Sequence, residues 1–123
     1  MRILAVDDSR TIRDLVELTL TREGFDAVLA EDGQHGIETL DAMERAPDAI
    51  LTDINMPRLD GFGFIEEIRK RERYSGIPIL VLTTESAKEM RLRARAAGAT
   101  GWVVKPFDPA RLVGALRTVT GLH

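Results

Sequence analysis

Residues 49–57 read AILTDINMP, a short apolar run that ends at Asp53 and passes directly into a turn at Pro57. An uninterrupted apolar run of this length is typical of a strand that is covered on both faces of a parallel sheet. The residue after the run is an acid, so the strand would deliver a carboxylate to the edge of the sheet. Because ligands bind beyond the carboxyl ends of the strands in open parallel sheets, the pattern predicts a functional acid at position 53.

Three other apolar runs also end in polar residues. These residues are Asp7 and Asp8 after the run 3–6, Thr83 after the run 79–82, and Lys105 after the run 101–104. Since the carboxyl ends of parallel strands meet at one edge of the sheet, we expect these side chains to converge with Asp53 on one point.

Strand-like and helix-like patterns alternate along the chain. The predicted strands are residues 3–6, 27–30, 49–52, 79–82 and 101–104. Apolar residues at helical spacing predict a helix after each strand, and the first such stripe is Ile12, Leu15, Val16 and Thr19. This alternation predicts an α/β fold, a doubly wound parallel sheet with helices on both faces.

Two helix starts are predicted independently of the apolar pattern. Ser86 and Glu89 have the spacing of a capping box. In such a box the serine hydroxyl accepts a hydrogen bond from the glutamate amide, and the glutamate carboxylate accepts one from the serine amide. Asp108 precedes Pro109, which places an N-cap before a proline at the first helical position.

Composition narrows the class of protein. A chain of 123 residues fits one domain. Its net charge of −3 argues against a general surface for nucleic acids or anionic membranes, and the absence of cysteine excludes disulfides and thiolate metal sites. The apolar stretch at the start is too short for a signal peptide, and no run approaches a membrane span. We therefore expect a cytoplasmic protein that neither binds nucleic acid nor inserts into a membrane.

The acidic residues at the strand ends suggest a metal site. Asp7, Asp8 and Asp53 would bring three carboxylates together, and their repulsion would raise their pKa values unless a cation lay between them. Mg²⁺ suits such a cluster because it prefers oxygen ligands and needs only a few from the protein. Alternatively, Asp7 or Asp8 with Ser9 merely caps the first helix, and Asp53 is a satisfied acid at a turn.

Lys105 and Thr83 extend this cluster towards phosphate chemistry. A lysine at a strand end can supply a compact positive charge for a phosphate group, and a threonine can donate its hydroxyl to the same group. An acid nucleophile, a metal, a lysine and a hydroxyl donor together form a set suited to phosphoryl transfer, where positioning and charge neutralisation dominate catalysis.

Four segments, residues 6–9, 53–61, 82–83 and 98–107, resemble the receiver domain of two-component response regulators. The resemblance covers essentially the whole chain. It implies a stand-alone, CheY-like receiver domain over residues 1–123, with no output domain, and a flavodoxin-like fold of five strands and five helices. The expected strand order, 2-1-3-4-5, is taken from the family member CheY, for which it is known.

The resemblance also implies a role for each matching residue. Asp53 would accept a phosphoryl group from a histidine kinase, and Thr83 and Lys105 would contact the phosphoryl oxygens. Mg²⁺ would be bound by Asp8, Asp53, the backbone carbonyl of Asn55 and, through water, Asp7. The Lys105–Pro106 peptide bond would be cis and would aim the lysine. Trp102 would switch its side chain together with Thr83, and Asn55 and Glu85 would lie beside the path of the hydrolytic water and set the lifetime of the phosphoryl group.

A basic patch in this acidic protein indicates where a target would bind. The patch combines Trp102 with residues of the fourth and fifth helices, namely Lys88, Arg91, Arg93, Arg95 and Arg111. An acidic amphipathic segment, such as part of a flagellar motor switch component, would suit this surface. The alternative is that these charges form an ordinary solvated helix face.

Other functions remain open at this stage. One is a metal-dependent phosphatase or phosphotransferase with an aspartyl-phosphate intermediate, and another is an adaptor that has the fold without the chemistry. A receiver could also act as a phosphate sink or a relay outside chemotaxis. We expect a monomer that is not an enzyme in the ordinary sense, because it would catalyse only its own phosphorylation and dephosphorylation.

Overall fold

A computed structural model describes residues 1–121 of the chain. Strands and helices alternate throughout, as predicted. In chain order they are β1 (Arg2–Val6), α1 (Arg10–Arg22), β2 (Asp26–Ala30), α2 (Gly33–Ala42), β3 (Ala49–Thr52), α3 (Gly61–Lys70), β4 (Ile79–Thr83), α4 (Lys88–Ala97), β5 (Gly101–Val104) and α5 (Pro109–Thr120). Within residues 1–121, no helix is both long enough and apolar enough to cross a bilayer.

The five strands form one parallel sheet in the order β2-β1-β3-β4-β5, which confirms the expected flavodoxin-like topology. Successive strand residues point to opposite faces. In β1, for example, Leu4 and Val6 pack in a core cluster with α2 and α3, whereas Ile3 and Ala5 pack in a second cluster with α1 and α5. The sheet is therefore covered on both faces and is doubly wound.

Burial differs between the central and the edge strands. Every residue of β3 and β4 is buried, as is all of β1 after its first residue. The edge strands β2 and β5 are partly exposed, and the Val104 side chain at the end of β5 is 43% exposed. Burial on both faces thus holds for the central strands, while β5 has a strand neighbour on one side only.

One sequence prediction about the helices is wrong. The capping box at Ser86 and Glu89 does not form, because α4 begins later, with Ala87 as an N-cap that makes no side-chain hydrogen bond. The helix predicted from Ile12, Leu15, Val16 and Thr19 forms as α1, in which Leu15 is 43% exposed and the buried residues are Val16, Thr19 and Leu20. The other predicted cap is confirmed, since the Asp108 side chain accepts the Ala110 amide at the start of α5.

The start of α3 lies directly against the backbone that carries Asp53. Gly61 is the first residue of α3 and donates its amide to Ile54 O at 2.8 Å. A Cβ at position 61 would lie 2.2 Å from the Asp53 carbonyl oxygen and 2.8 Å from Ile54 Cα. Only glycine permits this approach, which fixes the chain directly after Asp53.

We predict that Gly61→Ala lowers the free energy of unfolding by about 1–3 kcal/mol, because the added methyl group collides with backbone atoms that cannot move aside cheaply. Gly114→Ala is the matched control. It lies within α5, where a Cβ would meet nothing within 4 Å, so alanine should stabilise the protein by about 0.5–1 kcal/mol. Urea unfolding of both variants measures the two effects. Equal effects of the two substitutions would contradict the close approach at Gly61.

Candidate functional site

The sheet places two predicted acids side by side. Asp7 follows β1 and Asp53 follows β3, and these strands are neighbours. The parallel ladder extends one residue beyond each strand, because the Asp7 amide donates to Ala30 O at 3.1 Å and the Asp53 amide donates to Val6 O at 3.0 Å. Carboxylate oxygens of Asp7, Asp8 and Asp53 lie within 4.8 Å of one another; Asp7 and Asp53 are buried and Asp8 is exposed.

Lys105 joins the two buried acids. Its Nζ donates to Asp7 Oδ2 at 2.6 Å and to Asp53 Oδ2 at 3.1 Å, and its side chain is 8% exposed. The lysine follows β5 and reaches past β4, to which it is anchored by the hydrogen bond from its amide to Thr83 O at 2.8 Å. The Lys105–Pro106 peptide bond is cis, as the resemblance implied.

Burial and charge act in opposite directions within this cluster. Burial raises the pKa of Asp7 above its ordinary value, although hydrogen bonds from Lys105 and the Ser9 amide oppose the shift. Burial alone would lower the pKa of Lys105, but the carboxylates of Asp7 and Asp53 outweigh it and raise that pKa. The ammonium group therefore stays charged. One cation among three acids leaves a negative crevice that can accept a further cation.

Backbone amides hold the two buried carboxylates in place. Ile54 N donates to Asp53 Oδ1 at 2.6 Å, and Ser9 N donates to Asp7 Oδ1 at 2.9 Å. Each acid thus uses one oxygen for an amide and the other for Lys105. Of the alternative that Asp7 or Asp8 caps α1 together with Ser9, only the Ser9 part holds, because Ser9 is the N-cap and its side chain accepts the Ile12 amide.

Sequence reasoning missed one charged residue at this site. Arg13 lies in the first turns of α1, and its Nη1 donates to the backbone carbonyl of Asp7 at 2.6 Å. This contact orients the peptide between Asp7 and Asp8. The available signal was the short distance in sequence between Asp7 and α1. Because this helix starts beside the acids, residues of its first turns, such as Arg13, can contact them.

Thr83, Glu85 and Trp102 form a connected group beside the crevice. Thr83 is fully buried at the end of β4, and its Oγ1 accepts the Glu85 amide at 3.3 Å. Trp102, on β5, is partly buried against the core and donates its Nε1 to the Glu85 carbonyl at 3.0 Å. Glu85 thus links the predicted switch residues through its backbone. Asn55, the other residue predicted to affect hydrolysis, is exposed two positions after Asp53.

The predicted basic patch is divided in the structure. Lys88, Arg91, Arg95 and Trp102 line a groove of about 420 Å³ between α4 and β5, which also contains Leu92, 55% exposed. Arg111 lies outside this groove and lines a neighbouring one with Trp102. The Arg93 guanidinium lies 4.0 Å from the centre of the Phe62 ring, a cation–π contact that joins α4 to α3. We call the first of these surfaces the basic groove.

Comparisons with known proteins agree with this geometry. The family model for the response regulator receiver domain matches residues 3–117. A CheY homologue of Campylobacter jejuni is 38% identical over 123 residues, which cover 98% of this chain and 93% of the relative. The structure of CheY4 from Vibrio cholerae is 41% identical, with a TM-score of 0.90, and the match covers 96% of this chain and 97% of that one.

A third relative contains a metal. It is the receiver domain of a sensor histidine kinase from Pseudomonas aeruginosa, solved with a magnesium ion coordinated in its active-site cleft. It is 31% identical, with a TM-score of 0.89, and the match covers 98% of this chain and 97% of that one. Because the family match runs from the first strand into the last helix and the relatives agree in both sequence and fold, this chain belongs to the response regulator receiver domain family.

Proposed function

We propose that this receiver domain accepts a phosphoryl group on Asp53 from a histidine kinase, with the help of Mg²⁺, and signals by binding a target protein. The observation that carries this proposal is the contact of Lys105 Nζ with both Asp7 and Asp53. These residues lie at the carboxyl ends of β5, β1 and β3. That arrangement supplies a nucleophile, a cation and a metal-binding acid at one point, which is what phosphoryl transfer requires.

The acidic cluster fits Mg²⁺. Its donors are all hard oxygens, and the exposed Asp8 leaves one side open to solvent and to a phosphoryl group. The metal would be held by Asp8, Asp53 and the Asn55 carbonyl, with Asp7 acting through water. When bound, it neutralises charge on the phosphoryl oxygens. The magnesium in the Pseudomonas aeruginosa relative supports this assignment.

The residues around Asp53 divide the chemical work. A carboxylate oxygen of Asp53 attacks phosphorus, the bond from phosphorus to the histidine nitrogen breaks, and its electron pair leaves with the imidazole. The Ile54 amide, 2.6 Å from Asp53 Oδ1, holds the carboxylate while it reacts. Lys105 transfers its contact from Asp53 to a phosphoryl oxygen, and Thr83 donates its hydroxyl to another.

The Thr83–Glu85–Trp102 group offers a route from the crevice to the basic groove. The Thr83 hydroxyl accepts a hydrogen bond from the Glu85 amide at 3.3 Å. This hydrogen bond breaks when the hydroxyl turns towards the phosphoryl group. Glu85 then moves, and its carbonyl is the acceptor for Trp102 Nε1 at 3.0 Å. Since Trp102 lines the groove, phosphorylation changes the surface presented to a target. A coupling free energy of about 1–3 kcal/mol is typical of such links.

The target is best described by the chemistry of the groove. The groove is lined by three cationic side chains and by the apolar side chains of Leu92, Ala94 and Trp102, which suits an acidic amphipathic segment. The relatives named for chemotaxis in Campylobacter jejuni and Vibrio cholerae support a chemotaxis response regulator. A flagellar motor switch component is the target that we propose for it.

We predict that Asp53→Asn abolishes phosphorylation and preserves the fold, because the amide keeps the shape of the acid but cannot attack phosphorus. The measurement is intact mass after incubation with Mg²⁺ and acetyl phosphate, with circular dichroism as the test of folding. Asp60→Asn is the matched control. It removes a carboxylate from the same loop while keeping an N-cap for α3, so it should be phosphorylated like wild type.

Each other outcome of that experiment has a defined meaning. An adduct on Asp53→Asn refutes the proposed site. Continuous release of phosphate by the wild type, without an accumulated adduct, would favour the phosphatase. A wild type that forms no adduct and releases no phosphate would favour the adaptor.

We predict that the fluorescence of Trp102, the single tryptophan of the chain, changes on phosphorylation, because its hydrogen bond to Glu85 is altered. Thr83→Ala should be phosphorylated yet lose most of the fluorescence change. Emission spectra before and after acetyl phosphate, with the adduct confirmed by mass, make the comparison. An unchanged wild-type spectrum would make Trp102 a static packing residue.

We predict that the double variant Arg91→Glu, Arg95→Glu binds the target about tenfold more weakly at low salt, equivalent to about 1.4 kcal/mol. The control is Arg22→Glu, Arg45→Glu, which changes the net charge equally at exposed positions away from the groove. Fluorescence titration with a motor-switch segment of the same organism, with and without acetyl phosphate, measures both. If the phosphorylated groove variant binds as well as wild type, the target binds elsewhere.

A further inference from the structure

The β3–α3 loop, residues 53–60, contains a residue in an unusual backbone conformation. Arg58 has φ 66° and is the only non-glycine residue with positive φ in residues 1–121. Arginine adopts this left-handed region rarely, so a surrounding interaction must hold it there. A glycine would adopt the same conformation without strain.

Two contacts hold Arg58 there: the Leu59 amide donates to Pro57 O at 2.7 Å across it, and its side chain forms an ion pair with Asp32. Arg58 Nε donates to Asp32 Oδ2 at 2.8 Å and Nη2 donates to Oδ1 at 3.0 Å, which is a bidentate arginine–carboxylate pair. The Asp32 side chain is only 6% exposed. Hydrogen bonds from Arg58 hold the pKa of Asp32 below its ordinary value against the opposing effect of burial, so the pair stays ionised at neutral pH.

The helix that follows Asp32 fixes the position of the pair. Asp32 is the N-cap of α2 and accepts the His35 amide at 2.8 Å. Its neighbour Gly33 donates to Leu59 O at 3.1 Å, and a Cβ at position 33 would lie 2.3 Å from that oxygen. Two consecutive residues at the start of α2 therefore hold two consecutive residues of the loop, Arg58 and Leu59.

The same loop carries Asn55. At its base, the loop is closed by the hydrogen bond from Gly61 N to Ile54 O at 2.8 Å. At its far end, it is held by Asp32 and Gly33. Between these two attachments lie the exposed Asn55 and the partly buried Met56. The path of the backbone at Asn55 therefore depends on both attachments.

We propose that the Arg58–Asp32 ion pair positions the β3–α3 loop so that the Asn55 carbonyl can complete the magnesium site. This inference rests on the proposed function, because Asn55 is a ligand only if the acidic cluster binds Mg²⁺. Arg58 and Asp32 are positioning residues, and neither would touch the metal. Without the pair, the far end of the loop loses one of its attachments to α2, and the Asn55 carbonyl is no longer held in one place.

Two variants break the pair in different ways. Asp32→Asn keeps an N-cap for α2, since asparagine caps as well as aspartate, but removes the charge that holds Arg58. Arg58→Gly removes the pair and also relieves the backbone strain. We expect each to weaken Mg²⁺ binding about tenfold, the lower end of the range for residues that support metal ligands. Isothermal titration calorimetry with MgCl₂ gives the Kd.

A second aspartate–arginine pair, at the other end of α2, serves as a control. Arg71 Nη1 contacts Asp41 Oδ1 at 2.7 Å and Oδ2 at 2.8 Å, and joins the end of α2 to the end of α3. It lies at the opposite end of α2 from Asp32. Asp41→Asn should therefore bind Mg²⁺ like wild type, within about twofold. Asp8→Asn serves as the positive control, because it removes a proposed ligand.

Amide hydrogen exchange provides a second readout that needs no metal. Loss of the pair should speed exchange at Gly33, whose amide donates to Leu59 O, and Asp41→Asn should leave it unchanged. Wild-type Mg²⁺ affinity in both Asp32→Asn and Arg58→Gly would overturn the inference, as would an equal loss in Asp41→Asn. If wild type binds Mg²⁺ and is phosphorylated while the pair variants match it, only this inference fails. If wild type binds no Mg²⁺, the proposed function fails as well.

Discussion

The contact of Lys105 with Asp7 and Asp53 is the constraint on which the site depends. A parallel sheet that ends several strands in acids must bury like charges side by side, and that arrangement is costly unless a cation lies between them. Lys105 supplies the cation from across the sheet, with its Nζ 2.6 Å from Asp7 and 3.1 Å from Asp53. The register of β5 on β4 sets the reach of the lysine, because Thr83 pairs with Val104 and accepts the Lys105 amide. The sheet order and the chemistry are thus linked through one side chain.

The attachment of α4 explains why the signal would leave the domain on that side. Ala94 is the only buried residue of α4 in the described chain, so the helix has little apolar anchorage. Polar contacts compensate in part. Arg69, on α3, donates to Gly98 O at 2.9 and 2.8 Å, at the C-cap of α4, and Arg93 packs on Phe62. An element held by few buried contacts has a low free energy of local opening, and a small change at its edge can shift its population. The movement of Glu85 that we propose occurs at that edge.

Periodic features of the sequence predicted the fold well, and contacts between distant residues escaped prediction. Asp53 and Lys105 were found because each follows an apolar run, and parallel topology brings such positions together. The prediction of a capping box at Ser86 failed because the spacing of Ser86 and Glu89 does not determine where the helix begins. The N-cap of α4 is Ala87, one residue later than the box requires. The Asp32–Arg58 pair joins residues 26 positions apart and the bond from Trp102 to Glu85 joins residues 17 apart. No periodicity marks either contact, because each depends on which distant segments meet after folding.

The proposed route between crevice and groove has a thermodynamic consequence. Coupling between two binding events is reciprocal, so a target that binds the phosphorylated form more tightly must favour phosphorylation by the same factor. In this domain the reciprocity has a physical basis. In the proposed route, a target seated in the basic groove would stabilise one position of Trp102, and through the Glu85 backbone it would stabilise the Thr83 position that suits the phosphoryl group. An acidic segment bound in this way would therefore act on the Asp53 site without entering it, because its proposed contacts with Arg91 and Arg95 would be made to the conformation that the phosphoryl group also favours.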